Sequence, residues 1–119
     1  VTKLSEVRCA MNGEIAVATV VGEFDIGNCD EMSRQIQASC ADALAIVLDL
    51  SETQYLDSAA LRTLFTIARM FQGRGAPVVA VIPATGLVRK VTVVSGIDAV
   101  MPVAETRDEG LRLAGGPVA

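Results

Sequence analysis

Residues 44–50, LAIVLDL, are apolar at every position but one. A strand buried on both faces reads this way, because neither of its sides meets water. Such strands belong to parallel sheets, whose crossovers cover both faces with helices. That one run therefore asks for a central strand with helices packed around it. A chain of 119 residues supplies one domain and one sizeable core. With one Tyr, three Phe and no Trp, that core must be aliphatic.

The flanking sequence fills in the rest. Residues 1–9 read as a first strand and 15–24, IAVATVVGEF, as a second. Asn12-Gly13 between them is a hairpin signal, because a type I′ turn needs positive φ at both central residues. Asn28 followed three residues later by Glu31 has the form of a capping box, which predicts a helix start. Cys29, Met32, Ile36 and Cys40 then recur at helical spacing, so both cysteines are expected on the core face. After Ser58 a second helix shows Leu61, Leu64, Phe65, Ala68 and Phe71 on one face, with Arg62 off it and Gly73 as its stop. Residues 77–82, PVVAVI, are another buried strand. Residues 85–96 are rich in β-branched residues, but the strands on either side need a crossover, so they are read as a helix capped by Thr85. Residues 99–103 form a short last strand, and Thr106 to Glu109, TRDE, opens a final helix. The order is ββαβαβαβα: an α/β domain spanning 1–119, with an N-terminal hairpin, a mixed and mostly parallel five-stranded sheet and four helices. Residues 1–2 and 115–119 are expected to fray.

Composition removes several function classes. The chain has no His, which excludes Ser-His-Asp and Cys-His catalysis and every His-based metal site. No metal and no cofactor are expected. The net charge is −4 and the ten basic residues form no patch, so direct nucleic-acid binding is not expected. The glycines match neither a P-loop nor a dinucleotide fingerprint. Three cysteines (Cys9, Cys29, Cys40) without framework spacing fit a reducing compartment, and no apolar run approaches the roughly 20 residues of a membrane span. With no signal-peptide pattern either, a cytoplasmic location is the expectation. Cys29 and Cys40 lie about 16 Å apart along one helix and cannot bridge.

The chemistry then concentrates at Asp57-Ser58. Ser58 can be a helix N-cap. It can equally be a phosphoacceptor, because a phosphate there would face backbone N–H groups and the positive end of the helix dipole. It would add roughly −1.5 to −2 charges to a face that already carries Asp57 and, by strand connectivity, Asp25. A serine nucleophile lacks a His or nearby Lys as base. Asp49 and Asp57 do not make a phosphoryl-accepting receiver site, since no acidic pair follows the first strand. Asp49 reads instead as a carboxylate bonded to loop N–H groups.

GEFD (22–25), IVLDLSETQYLDS (46–58) and VRKVTVVSGIDAVMPVAET (88–106) together resemble the STAS domain family, in particular bacterial anti-sigma factor antagonists. The resemblance implies partner switching. The unphosphorylated protein binds an anti-sigma factor, commonly a serine kinase, and frees a sigma factor for transcription. ATP-dependent phosphorylation of the motif serine, here Ser58, ends binding, and a phosphatase restores it. The expected recognition surface comprises Asp25, Asp57, Ala59, Ala60 and Arg62. The family motif continues Asp-Ser-Ser/Thr-Gly-Leu, whereas this chain has Asp57-Ser58-Ala59-Ala60-Leu61, which removes a second hydroxyl and a glycine. That departure motivates an alternative: a STAS interaction subunit of a signalling or transport complex, with no phosphoswitch.

Overall fold

The computed structural model describes residues 5–115. In chain order the elements are β1 (Glu6–Asn12), β2 (Ile15–Phe24), α1 (Cys29–Ser39), β3 (Ala45–Asp49), β4 (Thr53–Leu56), α2 (Ser58–Gly73), β5 (Val78–Val81), α3 (Leu87–Val94), α4 (Ile97–Val100), β6 (Val103–Ala104) and α5 (Arg107–Gly115). The sheet runs β1-β2-β3-β5-β6, with β4 paired to β2. Only β1 is antiparallel to its neighbour.

Period-two alternation sorts the core into two layers. Ala16, Ala18 and Val20 of β2, Ile46 and Leu48 of β3, and Val78 and Ala80 of β5 face one side. There they pack with Met32 and Ile36 of α1 and with Leu61, Leu64 and Ile67 of α2. Val17, Val47, Val79 and Val81 face the other side with Ala114 of α5. The central run is thus buried on both faces, as its composition requires. Gly110 lets α5 come close: a Cβ there would lie 2.6 Å from Val81 Cγ2.

The architecture follows the sequence reading, with local corrections. The hairpin loop is Gly13-Glu14, since Asn12 pairs with Ile15. Gly13 has φ 62° and no non-glycine residue has positive φ among those described, so the turn is of the II′ kind rather than I′. A sixth strand, β4, occupies the segment between the central strand and Ser58, for which the sequence reading has no element. The expected last strand starts instead as the helical turn α4, and β6 is limited to Val103–Ala104. There are accordingly six strands and five helices among the described residues. Asn28 precedes α1 but makes no capping bond; its side chain turns back to accept from Asp25 N (2.8 Å) and donate to Glu23 O (3.0 Å). Gly86, not Thr85, is the N-cap of α3. Thr106 does cap α5, accepting from Glu109 N at 3.2 Å. Gly115 closes α5 as its last residue, whereas the expected fraying of 1–2 and 116–119 lies outside the described residues.

Candidate functional site

The site begins with how β2 changes partner. Its first half pairs with β3 (Ile15↔Ala45 through Thr19↔Asp49) and its last residues with β4 (Glu23↔Tyr55, Phe24↔Leu56). The register slips between Gly22 and Glu23, where Gly22 has φ 98°, a conformation that suits glycine. Thr53 Oγ1 donates to Val20 O (2.6 Å) and Gly22 N to Glu52 O (3.0 Å), securing the switch. Because β2 and β4 run parallel and side by side, their C-terminal ends emerge together. The segment after β2 carries Asp25, and the one after β4 carries Asp57 and Ser58.

Asp57 joins the two segments. Its backbone is extended (φ −86°, ψ 179°) and it is the N-cap of α2. Oδ1 accepts from Ala60 N at 2.8 Å, and Oδ2 accepts from Ile26 N, in the loop after β2, at 3.0 Å. Asp57 N donates to Phe24 O at 3.1 Å. Asp25 folds the same loop upon itself: Oδ1 accepts from Gly27 N (2.8 Å), and its carbonyl accepts from Asn28 N and Cys29 N. Both carboxylates therefore shape the loops around the serine.

Ser58 is not the cap. It is the first residue of α2 and is exposed. With Asp57 already capping the helix, the Ser58 hydroxyl is not needed to hold it. The helix leaves the N–H groups of Ser58 and Ala59 without intrahelical acceptors.

Arg62 lies one turn along α2, exposed, and lines a hollow of about 240 Å³ with Ser58, Leu61, Phe65 and Ser95. On its other side it lines a groove of about 310 Å³ between α1 and α2, together with Cys29, Asp30, Ser33 and Ala59. Ala59 is half-buried, and Ala60 is 0% exposed within the core. Ala60 therefore offers a partner no surface, and its methyl is accommodated inside. The sequence reading missed two neighbours. Ile26 is 78% exposed at the loop tied to Asp57, and Val94 is 84% exposed beside Ser95. An isoleucine between Asp25 and Gly27 in a turn was the available signal for the first.

Asp49 lies apart from this surface. It is 0% exposed and points to the α5 side, where Oδ1 accepts from Ser51 N (2.9 Å) and Oδ2 accepts from Arg107 Nη2 (2.7 Å). Burial, the largest single influence, opposes its ionisation. The bonds from Ser51 and the Arg107 guanidinium outweigh it, so its pKa lies below the ordinary value. Among the described residues no group of three or more Cys, Asp or Glu side chains is placed to hold a metal ion, and no helix is long and apolar enough to cross a membrane.

A sheet that changes partner at a bulge and delivers an Asp-Ser pair to the start of an apolar helix defines an α/β domain with its polar pair at one end of the sheet. The chain belongs to the STAS domain family, which matches residues 7–110. Among solved structures it is similar to an anti-sigma factor antagonist from Mycobacterium paratuberculosis, with 28% identity over 94% of this chain and 95% of that one and a TM-score of 0.78. Bacillus SpoIIAA in its phosphorylated form shares the fold, with 18% identity over 91% of this chain and 98% of that one and a TM-score of 0.62. A Ser-to-Glu variant of RsbS from Moorella thermoacetica does so too, with 19% identity, 93% and 96% coverage and a TM-score of 0.72. No curated protein matches the chain significantly.

Proposed function

We propose that the chain is an anti-sigma factor antagonist, and that phosphorylation of Ser58 switches its binding. The observation that carries this is the position of Ser58. The residue is exposed at the first turn of α2, with capping taken by Asp57, and it shares a hollow with Leu61, Phe65 and Ser95, while the exposed Ile26 is tied to the neighbouring Asp57. A partner docking over that edge would bury apolar surface, the main favourable term in association. A phosphate on Ser58 would place roughly two negative charges inside the contact, beside Asp57, and desolvating them would oppose docking. No change in fold is required.

The partner is an anti-sigma factor with serine kinase activity that uses ATP, and a phosphatase reverses the modification. The reading includes no catalysis by the protein itself, since the chain has no His to serve Ser58 as a base. The setting is the cytoplasm. The reading without a phosphoswitch rested on Ala59 and Ala60. Since Ala60 is interior, only Ala59 of that pair is open to a partner.

The test is to incubate the protein with ATP and kinase-type anti-sigma factors and to locate phosphate by mass spectrometry. We expect modification at Ser58 alone, binding retained in Ser58→Ala, and binding weakened at least tenfold in Ser58→Glu. Binding indifferent to both substitutions would favour the constitutive interaction subunit instead.

A further inference from the structure

Cys9 and Cys40 are distant in sequence but neighbours in the fold. The β1–β2 register sets Cys9 opposite Ala18. Ala18 is fully buried and points into the same core layer as Ile36 and Cys40, so Cys9 lies on the α1 side of the sheet. Cys40 is the C-cap of α1, held by a bond from its N–H to Ile36 O (3.0 Å), and is itself fully buried. The two thiols sense each other: burial first, and then the adjacent Cys9, push the Cys40 thiol up to about 12. Cys9 is exposed. One residue of the pair is thus exposed on the edge strand and the other is packed behind it.

We propose that Cys9 and Cys40 are a disulfide-forming pair, which on exposure to a peroxide joins the edge strand β1 covalently to the end of α1. The Cys9 thiol gives up its proton and the sulfur attacks hydrogen peroxide; an S–O bond forms, the O–O bond breaks, and the departing hydroxide takes up that proton, so one water leaves with Cys9 as sulfenic acid. The Cys40 sulfur then attacks the Cys9 sulfur. The S–S bond forms, the S–O bond breaks, and the departing hydroxide takes the Cys40 proton as a second water. Two thiols and one peroxide give one disulfide and two waters, with the peroxide reduced by two electrons. The bond encloses residues 10–39, including β2, the Asp25 loop and α1. It stands independently of any role for Ser58.

The test uses the full chain. The reduced protein is treated with an equimolar amount of hydrogen peroxide, alkylated, and digested without reductant. Trypsin alone leaves Cys9 and Cys29 in one peptide, 9–34, so cleavage at Glu14 and Glu23 is added to separate them. The expected product is a Cys9 peptide linked to a Cys40 peptide, lighter than the two reduced peptides by about 2 Da and cleaved by dithiothreitol. The oxidised protein should also unfold at a higher temperature than the reduced one, and Cys9→Ser should lose both signals. Cys9–Cys9 dimers, or Cys9 advancing to sulfinic acid while Cys40 stays a free thiol, would overturn the proposal.

Discussion

Asp57 bridges two loops with one carboxylate, and removing it should loosen both. In Asp57→Ala the Ala60 N–H loses its cap, at about 1 kcal/mol. The Ile26 N–H loses a charge-assisted acceptor, and since Asp57 is only half-buried its loss sits near the low end, about 1–1.5 kcal/mol. Together the variant should be about 2–2.5 kcal/mol less stable. Asp57→Asn separates the two contributions. Asn caps as well as Asp, but its one carbonyl oxygen can serve only one of the two N–H groups, so about 1 kcal/mol should be lost. Urea unfolding at neutral pH reads this directly. With a slope of about 1–1.5 kcal/mol per molar for a domain of this size, the Asp57→Ala midpoint should fall by about 1.3–2.5 M with the slope unchanged. Hydrogen exchange should show faster exchange at Ile26 and Ala60 and little change at the central strand β3. Equal losses in Asp57→Ala and Asp57→Asn, or Ile26 exchange unaltered in both, would refute the bridging role.

Three further expectations follow from the same contacts. Asp49 has a folded pKa below its ordinary 3.8, so it contributes stability that is fully present above 3.8 and is lost as pH falls through the lowered value; Arg107→Ala should move that acid loss to higher pH and cost about 1–3 kcal/mol, moderated because the guanidinium is half exposed, as acid and urea titrations would show. Gly110→Ala should destabilise by about 1–3 kcal/mol, because its Cβ would press on Val81 Cγ2, and thermal unfolding would measure it. In protein carrying phosphoserine at 58, Arg62 lies one helical turn away on the shared hollow, so Arg62→Gln should raise the second phosphate pKa in a phosphorus NMR titration; an unchanged value would mean the two do not pair.

The parts of the fold that patterning reveals are those where burial decides. The run at 44–50 and the strands beside it are buried whatever the loops do, so their composition carries the signal. β4 has no such signature. TQYL buries only its two ends, and it is a strand because Phe24 and Glu23 offer it a partner, which is a long-range fact. IDAV is apolar but for Asp98 and short enough for strand or helix, and Gly96 at φ 79° decides the matter locally by turning the chain into α4. At the site, Asp57 and Ser58 are both good caps on paper. Which one serves is set by the extended backbone that the β4 pairing imposes on Asp57. The serine was legible as a candidate; the carboxylate that frees it, the reach of that carboxylate to Ile26, and the meeting of Cys9 with Cys40 depend on strand register and could not be read from spacing.

The two ends of the described chain differ in what they approach. Ser5, just before β1, bonds through Oγ to Glu23 O at 2.7 Å, at the same end of the sheet as Asp25 and Ser58. α5 runs the other way, and Gly115 sits against Ile15 at the start of β2. A fluorophore placed at Ser5 would therefore sit at the same end of the sheet as Asp25 and Ser58, whereas one placed at the end of α5 would sit at the opposite end. On the proposed function, binding is best measured with the label on α5, and a label at Ser5 serves as a proximity reporter for the proposed docking at Ser58.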